Sequence, residues 1–110
     1  MNQSIREKLD RLTDSSDEIN ALLSDPAVIS QQQQFRALSI ELAELNRIVE
    51  QYQRCQSLDA QAADARSMLS DDDPSIRKMA QEELPDLEEA LTTAFRRLQN
   101  LSVSYTHLRA

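Results

Sequence analysis

Between residues 30 and 70 the apolar positions recur in steps of three and four. Phe35, Leu38, Leu42, Leu45, Val49, Tyr52, Cys55, Leu58, Ala62, Ala65 and Leu69 therefore share one stripe of a helix. No glycine or proline interrupts them. About forty residues rising about 1.5 Å each make a rod of roughly 60 Å. A small globule holds no such rod, so its stripe must be covered by other helices of the chain, by a second copy or by a partner. Three successive steps of three, between Val49 and Leu58, interrupt the heptad like a stammer and overwind any supercoil locally.

Two further helices flank this one. The first is expected over about 4–24, with Ser4 and Glu7 as a capping box. Ile5, Leu9, Leu12, Ile19 and Leu23 keep a/d spacing, and Ser16 stands at the missing seam position. A polar seam residue can fix register at a cost in stability. A seam that is merely narrow at this point is the favoured reading. Asp25-Pro26 ends the helix, because proline disfavours the α conformation in the residue before it and suits the first position of a new turn. Ala27, Val28 and Ile29 then form a short apolar link, and Ser30 with Gln33 caps the long helix over about 30–70.

The third helix is expected over about 74–101. Its stripe is Ile76, Met79, Ala80, Leu84, Leu87, Leu91, Ala94, Leu98 and Leu101. Pro85 lies inside it and predicts a kink or two helices in line. Asp71, Asp72 and Asp73 precede Pro74. A calcium loop spaces its ligands at alternate positions and needs glycine for its turn, so the better reading is an aspartate cap with proline at the first helical position. Together these patterns predict an all-α fold, an elongated antiparallel helical hairpin or three-helix coiled-coil-like domain in which the first helix covers only part of the second.

Composition narrows the chemistry. The 110 residues contain no Gly and no Trp, three Pro and a single Cys, and carry a net charge of −7. Phosphate-cradling loops and nucleophile elbows need glycine, so both are absent from this chain. The acidic balance disfavours direct binding to nucleic acid. One cysteine forms no internal disulfide, which fits a reducing cytoplasm. No stretch has the apolar length of a signal peptide or a membrane span.

No catalytic, cofactor-binding or metal-binding residue stands out. His107 lies in the tail, outside the periodic segments, and Cys55 sits in the long stripe, where it acts as a small hydrophobe. Neither has a partner at metal-ligand spacing. Tyr52 and Phe35 are too far apart to stack bases. The densest charge is on the third helix, where Glu82, Asp86 and Glu89 share one face beside Glu83 and Glu88. A charged helical face is most often simply solvated, and its alternative role is as a docking surface.

Three segments carry a family resemblance. SIREKLDRL, DPAVISQQQQFRALSIELAEL and MLSDDDPSIRKMAQEEL, in this order, resemble the N-terminal domain of bacterial peptide chain release factor 1. The second matches at Asp25, Pro26, Phe35, Arg36, Leu38, Ser39, Glu41, Ala43 and Leu45. The third matches at Met68, Leu69, Asp73, Met79, Ala80, Glu83 and Leu84. The sister release factor 2 usually carries a tryptophan just after its Asp-Pro corner, where this chain has Val28 and Ile29. The resemblance covers about residues 1–101.

The resemblance implies a role in translation termination in the cytoplasm. The family recognises the stop codons UAA and UAG and triggers peptidyl-tRNA hydrolysis through a Gly-Gly-Gln motif in later domains. A chain without glycine lacks that motif, so this one is expected not to be an enzyme. It is expected to act as a ribosome-docking module that projects toward the stalk base of the large subunit, without cofactor or membrane. After Leu101 the chain departs from the family, and SVSYTHLRA resembles a translated adapter sequence. Residues 102–110 are therefore expected to be a non-native or disordered tail on a domain truncated before the codon-recognition and catalytic domains. The alternative from physics alone is a self-associating structural coiled coil, which the a/d stripes support and the Asp-Pro corners and Pro85 weaken.

Overall fold

The computed structural model describes residues 3–109, with side chains through residue 105. Four helices follow in order, α1 (Gln3–Leu23), α2 (Pro26–Ile29), α3 (Gln32–Met68) and α4 (Pro74–Arg109), with no strand among the described residues. The fold is all-α. The chain divides into two compact units, Met1–Glu50 with Leu101–Ala110, and Gln51–Asn100.

In the first unit, Leu9 and Ile19 of α1, Val28 of α2, Leu45 and Ile48 of α3 and Tyr105 of α4 are buried. Ser16 is buried with them, and its hydroxyl donates to Asn46 Oδ1 at 3.0 Å. The seam position that the a/d pattern leaves polar thus holds a bond between α1 and α3.

The corner after α1 is built as proline chemistry requires. Asp25 Oδ1 accepts from the Ala27 amide at 2.9 Å, and Pro26 takes the first position of α2, where its missing N–H costs no bond. Val28 turns inward, while Ile29 stays exposed. Ser30 departs from its expected part: its hydroxyl donates backward to the Ala27 carbonyl at 2.8 Å and closes α2. The first bond of α3 runs from the Phe35 amide to the Gln31 carbonyl, so α3 opens at Gln32 and not at Ser30. Ser4, expected ahead of the first helix, already lies inside α1.

The second unit is an antiparallel hairpin of residues 51–68 and 74–100. Gln51 bonds across to Ala94, and Arg66 reaches Glu88, so the two runs proceed in opposite directions. Its core is Tyr52, Cys55, Leu58, Ala62 and Ala65 on α3 with Ala80, Ala94 and Leu98 on α4. The alanines keep side-chain bulk low in the seam, which lets helix axes approach closely. The turn between them is capped as expected: Asp73 Oδ1 accepts from the Ser75 amide at 2.9 Å, and Pro74 opens α4. Arg77 then reaches back, donating through Nη1 to the Asp71 carbonyl at 2.7 Å and the Asp72 carbonyl at 3.1 Å. Those bonds satisfy carbonyls just past the end of α3.

Three features depart from the periodic reading. On α3 the fully buried residue is Ile48, at 1 % exposure, while Val49 is half-buried. Buried steps from Leu45 are then three, four, three, three, four and three, and the run of three threes does not occur. Pro85 lies within α4, which continues through it as one helix and not as two in line. Its missing N–H deprives the Gln81 carbonyl of its helical donor, and both residues are exposed, where water replaces that donor. Finally, α4 runs past Leu101 to Arg109. Residues 102–109 contain no glycine or proline to stop a helix, and Tyr105, 9 % exposed, donates to Glu41 Oε1 at 3.1 Å. The side chains of residues 106–110, His107 among them, lie outside the described residues.

Candidate docking surfaces

The chemistry-bearing groups of the interior are few. Cys55 is fully buried, and that burial pushes its thiol above the ordinary range, with the charge of Arg54 pulling weakly the other way. It packs as a small hydrophobe. Among the described residues, no three of His, Cys, Asp and Glu come together in a way that would hold a metal ion. No helix among them is long and apolar enough to cross a membrane.

The second unit carries the densest charge of α4 and two grooves beside it. Glu82, Asp86 and Glu89 are all exposed on α4. Asp86 and Glu89 also line a shallow groove of about 520 Å³, which runs along the seam with Gln51, Arg54, Thr93 and Arg97. Two carboxylates and two guanidinium groups line it, so that groove is locally balanced in charge. Glu82 does not line this groove. The three residues therefore share a helical face without sharing one pocket, and two of them border the seam.

A second groove, of about 420 Å³, lies nearer the turn. Ala65 and Met68 of α3 and Leu87 of α4 supply its apolar surface, and Asp64, Glu83 and Asp86 its charge. No Lys or Arg lines it. Asp86 borders both grooves. The sequence pattern pointed to the α4 carboxylates but not to Asp64 or Met68. These join the site only because the register of the hairpin sets residues 61–68 beside residues 83–87, and no periodicity within one helix encodes that register.

Residues 12–106 match the family model described as the PCRF domain, which is most of the chain and includes the first five residues after Leu101. No solved structure gives a significant match.

Proposed function

We infer the role of this chain from one premise: it belongs to the PCRF domain family, and so is a release-factor-type domain of translation termination with the ribosome as its partner. The Asp25-Pro26 corner followed by Val28 and Ile29, with no tryptophan, supports release factor 1 over its sister factor. The parent factor then reads UAA and UAG and triggers hydrolysis of peptidyl-tRNA. This chain supplies neither step. It has no glycine from which a Gly-Gly-Gln motif could be built, and the purified chain is expected to release no peptide on stop-programmed ribosomes.

Its part is docking at the stalk base of the large subunit, in the cytoplasm, with the α4 face of Glu82, Asp86 and Glu89 as the contact. The observation that carries this reading is the family match, joined to the exposure of all three carboxylates. Ribosomal proteins are largely basic, and complementary charge acts chiefly on association rate. In a full-length factor, replacing all three with lysine, with an unchanged melting temperature, should slow binding to terminating ribosomes most at low salt and leave hydrolysis alone once bound. A wild-type association rate across the salt series would leave this face as solvated surface. The competing coiled-coil reading needs an apolar stripe for a second copy, yet Leu45, Ile48, Tyr52, Cys55, Leu58, Ala62 and Ala65 are already buried within one chain.

A further inference from the structure

The groove nearer the turn combines an apolar floor with an acidic rim. Met68 is 40 % exposed, beside Ala65 and the half-buried Leu87. Around this apolar floor stand Asp64, Glu83 and Asp86, all exposed, with no cation in the lining. Methionine is the adaptable apolar side chain, unbranched and polarizable, and it recurs where a surface must fit a partner's side chain. A floor of this kind alone would accept any apolar group. The carboxylates decide which partner it accepts: they repel a phosphate backbone or an acidic segment, and they attract lysine and arginine.

We propose that this groove is a binding site for a basic protein segment that inserts one large aliphatic side chain between Met68 and Leu87 and sets lysines or arginines against Asp64, Glu83 and Asp86. The charge contrast within the same unit supports the choice. The neighbouring groove sets Asp86 and Glu89 among Arg54 and Arg97, whereas this one shares Asp86, adds Asp64 and Glu83, and has no cation in its lining. Arg66, the nearest arginine along α3 to Met68, is engaged outside the groove lining with Glu88, at 3.6 Å. The occupant is a different claim from the stalk-base face of the preceding section, with which it shares only Asp86, and it is tested on the isolated chain without ribosomes.

The probe is a short amidated helical peptide with one leucine among lysines and alanines, titrated into the full chain while the Met68 methyl resonance is followed. Two controls replace its leucine with serine or its lysines with glutamates. The lysine–leucine peptide is expected to shift the Met68 methyl saturably. Loss of the leucine should weaken binding about tenfold, as burial of one aliphatic side chain implies. The glutamate peptide should not bind. Added salt, or Asp64→Lys with Glu83→Lys, should weaken the lysine–leucine peptide by a similar factor. If that double variant melts lower, the salt series on the wild-type chain decides instead. An unmoved Met68 methyl, equal binding by the glutamate peptide, or a salt-insensitive affinity overturns the proposal. So does a shift produced by dilution of the chain alone, which would assign the groove to a second copy, or one produced by a single-stranded RNA oligonucleotide.

Discussion

Gln51 and Ala94, 43 residues apart, are joined by a buried hydrogen bond in which Gln51 Nε2 donates to the Ala94 carbonyl at 2.9 Å. The acceptor is a helical backbone oxygen, so the bond ties one point of α3 to one point of α4 within the hairpin, beside the packed core. The register it marks places the residues that line both grooves side by side.

Replacing Gln51 should separate two effects. Gln51→Ala removes a donor but leaves the Ala94 carbonyl its helical partner, so the loss is that of one neutral bond, about 1 kcal/mol. Gln51→Glu sets a carboxylate, which only accepts, against a carbonyl in a buried seam, and should cost more. Urea unfolding at pH 7 measures both. Equal stability of the two variants would mean that the bond does not order the seam.

Core burial and surface charge should differ sharply in weight. Leu98, at 1 % exposure, lies in the hairpin core, and Leu98→Ala should destabilise by about 2–5 kcal/mol. Leu42 and Leu87, which the periodicity ranks as equals of Leu98, are half-buried and should lose less. Arg66→Ala breaks the pair with Glu88, but both side chains are about half exposed, and the change should stay within about 0.5 kcal/mol. A ranking of melting temperatures with Arg66→Ala below Leu98→Ala would contradict these placements.

Tyr105 tests whether the helix beyond Leu101 belongs to the fold. Tyr105→Phe removes the hydroxyl bonded to Glu41 and should cost about 1 kcal/mol. Ending the chain after Leu101 removes the buried ring as well and should cost more. Full stability of the shortened chain would detach this stretch from the core.

Cys55 should make stability fall in alkali. Its thiol is held above the ordinary range in the folded chain, mainly by burial. Above the unfolded-state value of about 8.5 the unfolded chain gives up the proton and the folded chain keeps it, so unfolding becomes more favourable as pH rises. The contribution is fully present below that value and is lost as pH climbs through the folded one. Cys55→Ala should flatten the alkaline limb of the stability curve. Disulfide reagents at neutral pH should label the wild-type thiol only on unfolding.

Apolar spacing is enough for the three long helices, and the Asp-Pro pairs for the corner at Asp25 and the cap at Asp73, because each depends on neighbours within a turn or two. The spacing reads Pro26–Ile29 as a link where the chain forms α2, and it ends the last helix at Leu101 where α4 runs on to Arg109. It mistook Val49 for the deeper residue over Ile48, since both fit a helical stripe and only the partner helix distinguishes them. It assigned Ser30 forward to α3, although the hydroxyl found a nearer carbonyl behind it. Glu82, Asp86 and Glu89 were legible as one face of a helix. The groove that joins Asp64 and Met68 to Glu83 and Leu87 was not, because it exists only once two helices are aligned.

The hairpin unit is one continuous stretch, Gln51–Asn100, closed by the five residues between α3 and α4. The other unit needs Leu101–Ala110 to rejoin Met1–Glu50, with the whole hairpin intervening. Closing a flexible loop ten times longer costs roughly 2 kcal/mol more in chain entropy. If the hairpin zips up from its turn first, that span is no longer flexible and most of the penalty disappears. Local closure is also the faster event. On a chain synthesised from its N-terminus, Glu41 is made early, yet Tyr105, which bonds to it, emerges only after the entire hairpin has been made.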